Sequence, residues 1–516
     1  MKCLDLNRAI GHERRKAAIS NACAEFDHWD TEKHNIELQL GCSNVLSLVL
    51  SMTDDSTEIR MICAALEMVY RASTEVVRKS FQDVGPDIVP LLLKLLERCE
   101  KDTAKHSEVS VLNITKVLLY FSRVSELRPS LARHQGMLQS LTRASTARLN
   151  PDSRAMRVRV VANLANSDEN KDILHEHPGL LDCLLKIAAI DTTDTAREYA
   201  AACLMDLASS PISQVSLAFN DKVLAVLVKL AQDDKEETRE YAVTAMQNLA
   251  FAKENRTRLV TFTKGVVLEA LKKALSTDLN DKTRRRGAGA ITNLACDETA
   301  TIIGTHNGLV DILSRVATQD KNDDVQKRSS LALTKIASSW NPTDDRSYEQ
   351  LIAALINAAC SPNSTGIPAV LRVKARDAEK RETLARLPGL LETLADMSTS
   401  KEYSNKDKDN AMRAIMHLTN EHENRKLMCN KVILKALVEA SKLQGKENIE
   451  TRDSAIVAIE RLATEVTNRQ YMARHNGLLV AIAQATERES KSELAGEKNS
   501  QPRLAKQLLM SLLLAM

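Results

Sequence analysis

The chain has 516 residues, 44% of them hydrophobic and 27% charged, with a formal net charge of +3. So much apolar material excludes disorder as the default state, and so small a charge excludes a global field that would draw the chain onto nucleic acid or an anionic membrane. Aromatics are only 3%, Leu, Ala, Lys, Glu and Arg are frequent, and 15 Gly and 11 Pro punctuate the chain, which points to long helices joined by short turns.

The opening Met1-Lys2-Cys3-Leu4-Asp5-Leu6 carries charge too early for a secretory segment, and no window approaches the roughly 20 apolar residues of a membrane span. The ten cysteines stand singly, without Cys-x-x-Cys pairs, as expected of reduced thiols in a cytoplasmic and possible nuclear protein.

From there two short signatures recur. One is an Asn-Leu-Ala-like triplet; the other, 14 to 16 residues later where both are present, is a glycine before an apolar run. In residues 1–105 the copies are irregular: Val69 aligns with the central Leu and Gly41 and Gly85 with the glycine, so this stretch is expected to hold degenerate repeats and a polar cap. Between 106 and 337 the copies are regular. Leu164, Leu207, Leu249, Leu294 and Ile336 hold the central position, 42 to 45 residues apart, with Gly136, Gly179, Gly265 and Gly308 as the second marker, and Phe121 aligns with them upstream as a less regular copy. Ala242, Ala245, Met246 and Leu249 fall at i, i+3, i+4 and i+7, the signature of one helix face. Small residues stand seven before most central positions (Ala200, Ala242, Gly287, Ser329, Ala411, Ala455), where helices can cross closely. Acidic clusters from Asp191, Asp233 and Asp320 precede these helices and can cap their free amides.

The pattern lapses over 338–372, where Trp340-Asn-Pro and Ser361-Pro-Asn-Ser-Thr-Gly-Ile-Pro carry breakers. The 82 residues from Ile336 to Leu418 hide one degenerate copy, so an interrupted repeat or hinge loop is expected there. Regular copies resume over 373–486, centred on Leu418 and Leu462 with Gly389 and Gly477. Residues 487–516 read as a polar linker and an apolar C-terminal capping helix.

On these markers the sequence resembles the armadillo-repeat family, whose units run about 42 residues. The resemblance implies an all-α fold, a right-handed α-α superhelix of about eleven repeats, each a short helix followed by two longer ones. At about 9–10 Å per helix layer, a concave groove on the order of 100 Å long is expected.

The resemblance further implies that third helices line the groove, with an amide just before the central Leu holding the backbone of an extended peptide. Asn163, Asn248 and Asn293 stand at that place, and His417 in a later copy. Four residues earlier, where importin-like relatives carry Trp, stand Arg159, Thr244, Gly289 and Arg413, so the tryptophan array is missing. Arg154, Arg197, Arg239, Arg284 and Arg452 stand ten before the central residue; they are suited either to an acidic partner or to the acidic caps of the next repeat. Arg284-Arg285-Arg286 is the densest basic spot, and Gly289 beside it leaves room for a partner's backbone. His134, His177, His306 and His475 stand two before marker glycines, which fits repeat geometry better than metal ligation. No nucleophile elbow, paired-carboxylate motif or phosphate loop is recognisable, and no cofactor is expected.

The function expected is a non-catalytic scaffold or adaptor that holds an extended, acidic segment of a protein partner, with no nucleic acid bound and no membrane span. An importin-like transport adaptor or co-chaperone is the alternative on the same fold.

Overall fold

The computed structural model describes residues 88–101, 105–145, 149–361, 363–494 and 504–514. The expectations for residues 1–87 lie outside these. Among the described residues every regular element is a helix, and the chain divides after Ala274 into two compact units.

In the first unit a copy is a short helix, a second helix and a third. Arg128–Arg133, Met137–Thr142 and Pro151–Ala165 form one copy; Asp168–Glu176, Leu180–Ile190 and Asp194–Leu207 form the next; Pro211–Ala218, Asp221–Leu230 and Glu236–Leu249 follow. Third helices pack on third helices, from Lys105–Arg123 to Glu236–Leu249, and second helices pack on second helices. Each copy thereby covers an apolar face that its neighbour cannot cover alone. Arg256–Thr261 then leads through a 3-10 turn, Phe262–Gly265, into Val266–Thr277, where the unit boundary falls.

The second unit stacks the third helices Asp281–Leu294, Asp323–Ser339, Ile367–Arg376, Asn405–Leu418 and Ile449–Thr464 in the same manner. Leu504–Leu513 packs against Ile449–Thr464, Val466–Ala473 and Leu478–Leu494, with Leu512 fully buried.

The central residues Phe121, Leu164, Leu207, Leu249, Leu294, Ile336, Leu418 and Leu462 are all 0% exposed, so the sequence period marks equivalent core places. The marker glycines open the second helices. In His177-Pro178-Gly179-Leu180 the Leu180 amide donates to the His177 carbonyl at 3.2 Å and Gly179 has φ +77°, a type II turn that a side chain at 179 would strain.

A second polar device recurs six residues after the central one. The Asn170 Nδ2 donates to the carbonyls of Leu164 (3.1 Å) and Arg128 (3.0 Å). Asn255 bridges Leu249 and Gln214, Asn424 bridges Leu418 and Arg381, and Asn468 bridges Leu462 and Arg425. Each buried amide thus ties its own third helix to the short helix one copy earlier, adding a second donor to carbonyls such as those of Leu164, Leu418 and Arg425 that already accept a backbone amide.

Residues 338–372 hold two helices, Asp345–Ala359 and the start of Ile367–Arg376, with loops before each. They pack as the second and third helices of a copy whose short first helix is missing. Arg381 donates to the Ala375 carbonyl as Arg425 does to Thr419 and Arg469 to Ala463, which aligns Lys374 with Leu418 and Leu462. Lys374 is therefore the central residue of the hidden copy, 4% exposed, with Nζ 2.8 Å from the Trp340 carbonyl. Trp340 in turn lies on Gly304, where an added Cβ would overlap the indole.

Candidate partner-binding face

The C-terminal ends of the third helices carry a row at the residue before each central position that is polar except at Val373. In the first unit it is Asn163, Asp206 and Asn248; in the second it is Asn293, Lys335, Val373, His417 and Arg461. All are partly exposed or exposed.

Much of this row first serves the solenoid. Asn248 Nδ2 donates to the Met205 carbonyl at 3.1 Å, Lys335 Nζ to Thr292 at 3.3 Å and Arg461 Nη1 to Met416 at 2.9 Å, in each case the residue two before the previous central position. Asn163 donates instead to the Ser122 hydroxyl at 2.9 Å. A carboxamide also offers an oxygen, and those of Asn163 and Asn248 accept no hydrogen bond from the described residues. Between these two amides, burial raises the Asp206 carboxyl to about 6. Asn293 keeps the same register and has its own intramolecular interaction.

One turn earlier, the Arg159 guanidinium lies 5.0 Å from the centre of the Tyr199 ring. Thr244 and Gly289 are buried at the equivalent places. Gly289 is therefore part of the packed helix wall rather than an open floor. Arg413 binds Asp409 at 2.8 Å and also Glu450, so its charge is largely met within the fold.

The arginines ten before the central residue point elsewhere. Arg154 reaches Asp191 at 2.9 Å, Arg197 reaches Asp233 at 2.7 Å, and Arg284 reaches Asp320 at 2.7 and 3.0 Å. Each aspartate also accepts the amide two residues on, from Thr193, Lys235 and Asn322, which builds the turn into the next third helix. Burial pushes the Asp191 and Asp233 carboxyls up, but these bonds win and hold both below their usual range. Arg284 is thus engaged by its neighbouring repeat, while Arg285 lies 3.7 Å from Asp324 and Arg286 is half-buried.

His417 sits differently. Arg376 Nε lies 3.4 Å from its Nε2. Burial, then the charges of Arg376, Arg381, Arg461 and Arg372, push the imidazole down to about 4. The sequence picks out His417 but not the arginines around it, because they come from three helices.

No family model and no curated protein matches the sequence. Solved structures do. An engineered protein is 19% identical, with a TM-score of 0.58, over 89% of this chain and 98% of its own. A structure concerning a conserved phosphorylation switch that controls the interaction between cadherin and beta-catenin is 13% identical, with a TM-score of 0.58, over 99% of both chains. A designed armadillo repeat protein in complex with the peptide (KR)4 is 20% identical over 49% of this chain and 98% of its own, at a TM-score of 0.40.

This chain has the armadillo-repeat fold.

Armadillo units explain why the sequence markers keep phase: glycine opens the second helix and the central Leu closes the third. Within this armadillo chain the amides, Asp206 and His417 share the third-helix ends, whereas the Arg154, Arg197 and Arg284 side chains belong to the opposite ends of those helices. No described helix is long and apolar enough to cross a membrane.

Proposed function

We propose that this armadillo protein is a non-catalytic scaffold that holds an extended segment of a partner protein along the third-helix face. The observation that carries the reading is the row of amides whose donors are fixed to the fold while the oxygens of Asn163 and Asn248 stay open to a partner. A pre-oriented oxygen can accept a backbone N–H of an extended chain without a second entropic cost for ordering the side chain. The interaction between cadherin and beta-catenin, the subject of a structure with the same fold, supports a protein-binding use. Acidic partner side chains are favoured by Arg159 and by the basic surround of His417, with Arg285, Arg286 and Asn293 contributing from Asp281–Leu294.

Affinity purification with cross-linking is the direct test. Cross-links are expected at the third-helix ends. Changing Asn163, Asn248 and Asn293 together to Ala is expected to weaken capture roughly 100-fold, at about 1 kcal/mol per bond, with the helical melt retained. Undiminished capture by a folded triple variant would end the proposal.

A further inference from the structure

We propose that Arg372, Arg376, Arg381 and Arg461 around His417 form a binding site for a phosphorylated side chain of a protein partner. The inference deepens the scaffold reading and rests on it for the identity of the partner as a protein segment.

Neutral groups hold these guanidinium ions in place. Arg381 donates to the carbonyls of Ala375 (3.1 Å) and Arg376 (2.8 Å), Arg461 to that of Met416 (2.9 Å), and Arg376 to His417 (3.4 Å). Arg425, behind Arg461, donates to the carbonyls of Thr419 and Asn420 and to the Thr464 hydroxyl. Among the described residues none of these five arginines has a carboxylate within ion-pair distance, and the buried Nε of Arg372 has no hydrogen-bond partner. Arg154, Arg197, Arg284 and Arg413 are different, for each has an aspartate or glutamate.

Arg376, Arg381 and Arg461 are therefore held by neutral partners while the charge of the cluster is unmet. Burial and the like charges gathered there both disfavour the ionised guanidinium forms. Burial, opposed by Glu460, and the charges of Arg425 and Arg381 lower the Arg461 guanidinium. His417 is held neutral, so it adds no charge of its own at neutral pH.

One carboxylate would offset a single positive charge. A phosphate monoester brings about two negative charges and three oxygens, each able to accept from a guanidinium fork. Arginine clusters of this kind are a recurring way to read phosphorylated segments. The surroundings favour a protein as the source: the named residues include no Phe, Tyr or Trp ring on which a base would stack, and the site lies at the third-helix ends of the second unit, where His417 keeps the register of the polar row.

The test uses the full chain and a fluorescein-labelled peptide, Gly-Ser-phosphoserine-Ser-Gly, followed by anisotropy. Arms include the same peptide with Glu for phosphoserine, inorganic phosphate as competitor, phosphoinositide-containing vesicles and a single-stranded RNA. Expected is saturable binding of the phosphopeptide at least tenfold tighter than the Glu peptide, displaced by phosphate. Arg376→Gln with Arg461→Gln is expected to lose at least tenfold, and Lys401→Gln, at an exposed cation elsewhere, to lose nothing. Should the double variant fail to fold, the exposed Arg376→Gln alone is expected to lose several-fold. Equal binding of the Glu peptide, an unaffected Arg376→Gln variant, or tight binding of vesicles or RNA without the phosphopeptide would overturn the assignment. Because the probe is short and needs no amide row, its outcome is independent of the triple-amide test.

Discussion

Asp206 is the residue that conflicts most with its setting. It occupies the place of an amide between Asn163 and Asn248, and burial outweighs the help of Lys171, so its carboxyl rises from 3.8 to about 6. The folded chain therefore prefers the protonated form. Its contribution to stability is complete below about pH 3.8 and is lost as the pH rises through about 6. Asp206→Asn restores the amide of the row and removes the ionisation cost. It is expected to raise stability by roughly 1–3 kcal/mol at pH 7, since a tenfold change in an ionisation equilibrium corresponds to about 1.4 kcal/mol, with the gain vanishing near pH 4. Denaturant melts of both proteins at several pH values measure this; a gain that does not depend on pH would mean that packing, not the carboxyl, is responsible.

At the scale of elements the hidden copy is the informative case. Its central residue is Lys374, 38 residues after Ile336 and 44 before Leu418, so both the apolar triplet and the even period are broken in the sequence. The lysine is accommodated because its Nζ reaches the carbonyl of Trp340 and the Asn341 side chain, and burial brings it down from 10.5 to about 8. The charged form is disfavoured in the fold, so the neutral form's stability is fully present above pH 10.5 and lost as the pH falls through 8. Wild type is expected to gain roughly 1–3 kcal/mol over Lys374→Met between about pH 7 and 10.5, read from paired melts. A constant difference would show that Lys374 stays charged. Gly304 marks the same element from the other side. Gly304→Ala drives a methyl into Trp340 and is expected to cost about 1–3 kcal/mol, while Gly304→Ala with Trp340→Leu recovers part of it.

These cases explain how far the sequence can be read. Central residues and marker glycines are legible because each recurs in one frame and each answers a backbone or core requirement that only a few residue types meet. The Asn six places after Leu164, Leu249, Leu418 and Leu462 keeps an equally strict spacing and is readable in principle; its role stays hidden because its partners lie one copy upstream. Arg284 shows the opposite limit. Its regular spacing fits a partner ladder and an internal staple equally well, and only the Asp320 oxygens at 2.7 and 3.0 Å decide between them. The cluster around His417 is hidden for another reason: Arg372 and Arg376 from one helix, Arg381 from a second and Arg461 from a third occupy different places in their repeats, and only the fold brings them together.

For the whole molecule, stability should follow the nearest-neighbour logic of stacked repeats, in which each copy contributes its own folding and an interface with the next. The buried amides are those interfaces in polar form. Removing one costs about 1 kcal/mol for each hydrogen bond lost, since carbonyls such as those of Leu418 and Arg425 also accept the Glu421 and Cys429 amides. Asn424→Ala with Asn468→Ala cuts two successive ties between the short helices and third helices of the second unit. If contacts are chiefly local, amide hydrogen exchange is expected to quicken in Asn405–Leu418, His422–Met428, Ile449–Thr464 and Val466–Ala473, while Pro151–Ala165 and Asp194–Leu207 keep their protection. Loss of protection by equal amounts in both units would instead require one cooperative transition spanning Ala274, and the repeat would then be a pattern of sequence and shape without being the unit of stability.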